Sequence, residues 1–316
     1  MKKIIVTGCS GFIGSHMSEK LVSEGYFVTG IDNLSTGKIQ FMKNFKNKKN
    51  FKFIKADLYS SNIKKYFKNH HAVFHFAANA DVKDGLKHPE KDLKQNTIVT
   101  FKVLEAMRKN KVKNIFFSST GSIYGEPDKF PTPENYKFPI QTSLYGSSKL
   151  ACEGLIQAYS EGYKINSFIF RFVSIFGPRY THGHLYDFYK QLKKNPKKLI
   201  VLGDGYQSKS YLNVSDCISA IFKIFKQNKN GTYVYNLGLS KLITVRQSIN
   251  ILIKFLKLSP ILKFGREKRG WIGDSPKILL DTKKIKKTGW RPKKTIKESI
   301  HETIEYFKNN DWIFKK

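Results

Sequence analysis

Acidic residues are scarce in this chain, and so are cysteines and long apolar runs. Three cysteines, Cys9, Cys152 and Cys217, stand far apart in 316 residues without a CxxC pair. An odd, dispersed set argues against a disulfide framework or a metal site, and each thiol is expected as a small buried side chain. The apolar stretch 242–258 is broken by Arg246, Gln247, Asn250, Lys254 and Lys257, so no membrane span is expected. The opening Met1-Lys2-Lys3 runs straight into Ile4-Ile5-Val6, without the apolar core and cleavage site of a signal peptide, and a cytoplasmic location is expected. Only 24 Asp and Glu face 57 Lys and Arg, a formal charge of +33. Clusters such as Lys48-Lys49 and Lys286-Lys287 are short and the lysines are spread throughout. The excess therefore reads as solvated surface, with no nucleic acid expected as partner, although such a field favours an anionic small ligand.

What is present is enough apolar residue, 40%, for a full-sized core in one or two domains. Strand-like runs at 2–7, 26–31, 51–54, 72–76, 114–118 and 166–170 alternate with helical patterns at 12–24, 91–109 and 144–159. That alternation predicts an α/β fold with a doubly wound parallel sheet covered on both faces. After Gly177-Pro178 short strands mix with helices, which suggests a smaller mixed α/β domain. The expected division is 1–175 and 176–316, with a segment near 205–240 returning to the first domain.

Thr7-Gly8-Cys9-Ser10-Gly11-Phe12-Ile13-Gly14 places three glycines where a strand turns into a helix. Gly8 allows the tight turn, Gly11 lets backbone N–H groups approach a pyrophosphate, and Gly14 lets helix and strand pack closely. With Phe12 and Ile13 they open a helix whose N-terminus favours phosphate. The second strand ends in Asp32, followed by Asn33, Leu34, Ser35, Thr36 and Gly37. A carboxylate there bonds ribose hydroxyls and repels a 2′-phosphate, so NAD is the expected cofactor.

Tyr145 and Lys149 lie one helical turn apart. A free phenol, with a pKa near ~10, is a poor base at neutral pH. A neighbouring ammonium and a positive nicotinamide ring would lower that value and let Tyr145 take a proton from a sugar hydroxyl.

With these motifs the whole chain resembles the extended short-chain dehydrogenase/reductases, in their nucleotide-sugar epimerase/dehydratase group, a Rossmann fold. Further matching segments are Ala56-Asp57-Leu58, His75-Phe76-Ala77-Ala78-Asn79-Ala80-Asp81-Val82, Asn96, Ser118 through Gly125, Arg171 through Pro178, and Arg269 with Gly273-Asp274. The resemblance implies that Asp57 and Leu58 flank the adenine, that Phe76, Ala77 and Ala78 run beneath the nicotinamide with Asn96 and Ser118 nearby, and that Lys83 lies near the pyrophosphate. It makes Thr120 the hydroxyl partner of the catalytic Tyr145 and Lys149. Lys83, Thr120, Ser122, Ser174, Lys209 and Arg269 become candidate contacts of a UDP- or GDP-linked sugar. Dimers through helices at 91–109 and 144–159 are implied as well.

Family members share oxidation at the sugar C4. Dehydratases carry Thr-Asp-Glu where this chain has Thr120-Gly121-Ser122, and the decarboxylating enzymes need a Glu at the Ser122 position. The resemblance therefore points to a 4-epimerase of the UDP-glucose/UDP-galactose type. Two departures, Ser174 for an Asn and Lys209 for an Arg, leave open a C4 dehydrogenase, for instance of a GDP-linked heptose, with NADH recycled by a second substrate. An inert NAD-binding sensor is the remaining alternative, and an intact Tyr145–Lys149 pair speaks against it.

Overall fold

Seven parallel strands form the central sheet of the computed structural model, which describes residues 1–82, 84–137 and 139–315. The first half of the chain runs β1 (Lys3–Thr7), α1 (Phe12–Ser23), β2 (Phe27–Asp32), β3 (Phe51–Lys55), β4 (Ala72–His75), α2 (Pro89–Asp92), α3 (Val99–Lys109), β5 (Asn114–Thr120), α4 (Leu144–Tyr163) and β6 (Asn166–Phe172). There follow β7 (Ser174–Phe176), α5 (His184–Lys194), β8 (Lys198–Val201), β9 (Ser208–Lys209), β10 (Tyr211–Asn213), α6 (Val214–Lys226) and β11 (Thr232–Leu237). The rest is β12 (Ile243–Thr244), α7 (Val245–Leu256), β13 (Ile261–Phe264), β14 (Lys277–Ile278), α8 (Lys283–Lys287) and α9 (Ile296–Asn309).

The sheet order is β11-β6-β5-β4-β1-β2-β3. The winding direction reverses between β1 and β4, which opens a crevice beyond their C-terminal ends. Helices cover both faces, so the strands are apolar on both sides, as in Ile4-Ile5-Val6 and Phe116-Phe117, all at most 2% exposed. Phe74, Phe116, Phe168 and Tyr233 stand opposite one another in register on β4, β5, β6 and β11. Their rings stack at 4.6, 4.6 and 5.6 Å, stitching four strands across one face. A separate core around Tyr180, Phe188, Leu199, Ile249, Ile300 and Phe307 holds α5, α7 and α9 against three small sheets.

The single helix expected over 91–109 is interrupted. Between α2 and α3 the chain makes a π-helical turn, Leu93–Ile98, whose extra residue widens the coil. There Asp92 and Asn96 enter the interior, each 1% exposed. Helix α4 runs past the expected end at Tyr159 and stops at Tyr163, where Lys164 takes a left-handed conformation with φ 53°.

One buried ion pair locks α4 to the sheet. Arg171 on β6 meets Glu153 through Nη2 at 2.7 Å and Nε at 3.1 Å, and Glu153 also accepts from Ser119 Oγ at 2.5 Å. Removing one partner strands a charge in the interior, which costs far more than the pair itself contributes. Glu153→Ala is expected to lower the unfolding free energy by about 3–5 kcal/mol, read as a shifted urea midpoint at unchanged slope; a shift no larger than that of an exposed Lys→Ala control would disprove the locking role.

Candidate active site

The crevice between β1 and β4 is built first by backbone. Gly8 has φ +69°, and a Cβ there would lie 2.8 Å from Ala77 N. At Gly14 a Cβ would meet Gly8 O at 2.0 Å, so the helix can close on the strand only with glycine at that position. Asp32, at the tip of β2, accepts from the N–H of Ser10 at 3.0 Å and of Leu34 at 2.8 Å. Each of its oxygens keeps a further lone pair. Ser10 Oγ is buried beside it without a protein partner. Gly37 leaves the space above both open, since a Cβ there would sit 2.1 Å from Ser10 Oγ. A buried hydroxyl and a carboxylate beside a glycine-walled gap suit a ribose diol, so the residues present fit NAD. Sequence reading missed Ser10; its only signal was its place between Gly8 and Gly11.

The adenine side is ordered by Asp57. It accepts from Asn33 Nδ2 at 2.7 Å and from the N–H of Tyr59 and Ser60 at 2.7 and 3.1 Å. Burial raises its pKa, and these bonds outweigh that and hold it below the usual carboxylate range. Leu58 beside it is buried. Ser35 donates its N–H to Asn33 Oδ1 at 3.0 Å, shaping the turn. At the other end, Phe76 and Ala77 give their N–H groups to Thr7 Oγ1, both at 3.2 Å, and with Ala78 follow β4 into the crevice. Lys83 lies outside the described residues.

Thr120 ends β5, where its Oγ1 accepts from Ser122 N at 3.1 Å and donates to Ser122 Oγ at 3.2 Å. Ser143 caps α4 by accepting from Gly146 N at 3.0 Å, which aims the first turn of the helix, and Tyr145 with it, at Thr120. The Thr120 hydroxyl acts on the phenol in the direction that favours its anion. Lys149, 2% exposed, donates to Ser118 O at 2.9 Å and stands 4.7 Å over the ring of Phe117. Burial lowers its pKa to about 8. The lowering of the Tyr145 pKa is expected with a nicotinamide ring beside it; the chain's own groups hold the phenol above its ordinary value. Burial raises its pKa, the Thr120 hydroxyl offsets part of that, and Asp92 and Cys152 push it further up.

Other expected site residues are placed differently from the simple reading. Asn96 accepts from Asn79 N at 2.8 Å and donates to Asp92 Oδ1 at 3.2 Å and Ser148 Oγ at 2.9 Å, so its amide braces the crevice from one layer behind. Lys209 pairs with Asp274 at 2.5 Å, and Arg269 pairs with Glu126. Both candidate nucleotide-sugar contacts are thus paired with carboxylates. Ser174 is half-buried on β7, opposite Tyr211 of β10. Gln207, 4% exposed, went unnoticed in the sequence; both atoms of its amide lack a hydrogen-bond partner two residues from Lys209.

A doubly wound sheet with a glycine turn, a β2 acid and a Thr–Tyr–Lys cluster at the end of β5 defines a dinucleotide-dependent oxidoreductase site. The sequence profile of the NAD dependent epimerase/dehydratase family matches residues 4–238. The chain belongs to that family, as an NAD-dependent enzyme. A putative UDP-glucose 4-epimerase of Methanocaldococcus jannaschii is 33% identical over 98% of this chain and 99% of its own. The human dTDP-D-glucose 4,6-dehydratase is 30% identical over 98% of this chain and 91% of its own. Among solved structures, the Bacillus cereus UDP-glucuronic acid 4-epimerase in complex with UDP-glucuronic acid and NAD superposes with a TM-score of 0.90 at 27% identity, covering 97% and 99% of the two chains.

Gly37→Ala forces its Cβ onto Ser10. An overpacking cost of about 1–3 kcal/mol is expected to weaken NAD binding by roughly five- to a hundredfold in a fluorescence titration. Unchanged affinity would mean that the ribose gap lies elsewhere.

Proposed function

We propose that the chain interconverts the C4 epimers of a UDP-hexose, with UDP-glucose and UDP-galactose as the first pair to test. The observation that carries this reading is the junction of β5 and α4. Thr120, Tyr145 and Lys149 converge there, and the turn after Thr120 is Gly121-Ser122, with no acid to expel a 6-hydroxyl or assist decarboxylation. NAD, when bound, supplies a reversible acceptor for the C4 hydride. Tyr145 takes the proton of the C4 hydroxyl and later returns it, Thr120 holds the reacting oxygen, and Lys149 steadies the cofactor ribose and the phenolate. Gly8, Gly11, Asp32, Asn33, Ser10 and Asp57 would hold the dinucleotide. Residues 1–175 together with β11 would form the cofactor half and most of 176–316 the nucleotide-sugar half, in which Lys209, Arg269 and Gln207 are the polar groups within reach.

Ser174 and Lys209 favour one second reading, net C4 oxidation of a differently linked nucleotide sugar such as a GDP-sugar. Exposed Leu93, Phe101 and Tyr163 lie on or beside α3 and α4 and support pairing with a second copy. Among the described residues no helix is long and apolar enough to cross a membrane, and we place the reaction in the cytoplasm.

The test incubates the protein, with catalytic NAD, with UDP- and GDP-sugars and follows the products by NMR. A C4 epimer without accumulating NADH supports the proposal; a 4-keto sugar with stoichiometric NADH selects the second reading; a 6-deoxy-4-keto product would refute both. Tyr145→Phe is expected to lower kcat by about 10²–10⁴-fold while NAD still binds. Turnover is also expected to fall as pH rises through about 8, where Lys149 loses its charge; a rate flat to pH 10 would remove Lys149 from the mechanism.

A further inference from the structure

The small parallel sheet of β8 and β13 turns one face to the core and the other to solvent. On β8, Leu199 and Val201 are buried, whereas Ile200 between them is 51% exposed. Ile261, which opens β13, is 68% exposed, and Leu202 just past β8 is 54% exposed. Single apolar side chains on a surface are ordinary, but three on one two-stranded face form a feature that packing does not explain. The register sets a lysine beside each isoleucine: Ile261 pairs with Lys198, and Ile200 with Lys263. Strand alternation puts all four side chains on the outer side.

The surroundings of this face are positive. Residues 190–203 hold five lysines, and residues 253–266 hold three lysines and an arginine, with no Asp or Glu in either segment. All of these cations are exposed. Among the described residues only Lys193 of this set is ion-paired, with Asp311 at 2.5 Å. Because β8 pairs with β13, the two basic segments are held side by side and their charges cannot disperse.

These features select the partner. A second copy of the chain would bring the same cations against themselves, so the face does not suit self-pairing. Strand addition is blocked at β8, where Gln191 Nε2 donates to Ile200 O at 3.2 Å and Gln191 Oε1 accepts from Ile200 N at 3.1 Å. Nucleic acid is met by stacking aromatics and arginine forks, and here the outward residues are aliphatic and lysine. The nearest aromatic in sequence, Tyr206, already carries the Arg246 guanidinium 4.6 Å over its ring. Branched aliphatic chains ringed by lysines match a surface that is anionic outside and apolar beneath.

We propose that the β8–β13 face docks the protein reversibly on a membrane of anionic phospholipid. Ile200, Leu202 and Ile261 enter the boundary between headgroups and acyl chains, and Lys198 and Lys263 meet the lipid phosphates. The inference is independent of which nucleotide sugar is converted.

The full chain is mixed at low salt with vesicles of phosphatidylcholine, alone or with about one third phosphatidylglycerol, and binding is read by sedimentation. Binding is expected with the anionic vesicles only, and is expected to weaken with added salt. Ile200→Gln with Ile261→Gln keeps every charge and is expected to weaken it by about tenfold or more. Lys64→Gln with Lys68→Gln, between β3 and β4, removes two charges elsewhere and is expected to change it less than about threefold. No binding to the anionic vesicles overturns the proposal, and so does binding that the isoleucine pair leaves unchanged, which would be charge attraction without a face. If the isoleucine variant does not fold, Lys198→Glu with Lys263→Glu decides: a loss no larger than that of the Lys64 and Lys68 control overturns the proposal. Tighter binding to a uridine homopolymer than to vesicles, lost with the isoleucine pair, would assign the face to nucleic acid and likewise overturn it.

Discussion

The hydroxyl of Thr7 is the point on which the crevice closes. It accepts from the N–H groups of Phe76 and Ala77 and lies 2.7 Å from His75 Nδ1. With both acceptor positions filled, its one proton goes to Nδ1, so His75 carries its own proton on Nε2. That proton goes to Thr100 Oγ1 at 3.1 Å, and Thr100 donates to Cys152 Sγ at 3.3 Å. A chain of bonds, all running one way, joins β1, β4, α3 and α4. It works only with a neutral imidazole. Burial, with Lys149 nearby, lowers the pKa of His75 to about 3 and keeps it so.

The close backbone approach at Gly8 follows from that tie. If β4 were not drawn onto Thr7, Ala77 would not lie where a Cβ on Gly8 would strike it. The same tie reaches α4 at Cys152, between Lys149 and Glu153. Helix α4 is therefore held twice: by the hydrogen-bond chain from β1 and β4 and by the Glu153–Arg171 pair from β6. Between these anchors Lys149 is the buried cation, balanced by Asp92 and Glu153.

Much of the fold and site was legible in advance because the signals are local. Gly8, Gly14 and Asp32 sit at fixed offsets from a strand, and the geometry of one βαβ unit follows from those offsets. Tyr145 and Lys149 share a helix face by spacing alone. The residues that escaped notice are short polar side chains of ordinary type. Ser10 and Gln207 matter through side chains that lack a protein partner, and Asp92 through a π turn that no periodicity announces. Lys209 and Arg269, candidate contacts in the sequence, are paired with Asp274 and Glu126, from segments 65 and more than 100 residues away.

The linear chain by itself determined the class of fold, the cofactor and the chemical kind of the candidate site residues. Those depend on residue types at short, fixed spacings, which neighbouring peptide geometry converts directly into position. Only the tertiary structure decided how the groups are charged and which of them face the crevice. The proton on Tyr145, the occupied ammonium of Lys149 and the neutral His75 all depend on burial and on partners brought in from distant strands and helices, and electrostatic energy in a dry interior is set by those distances.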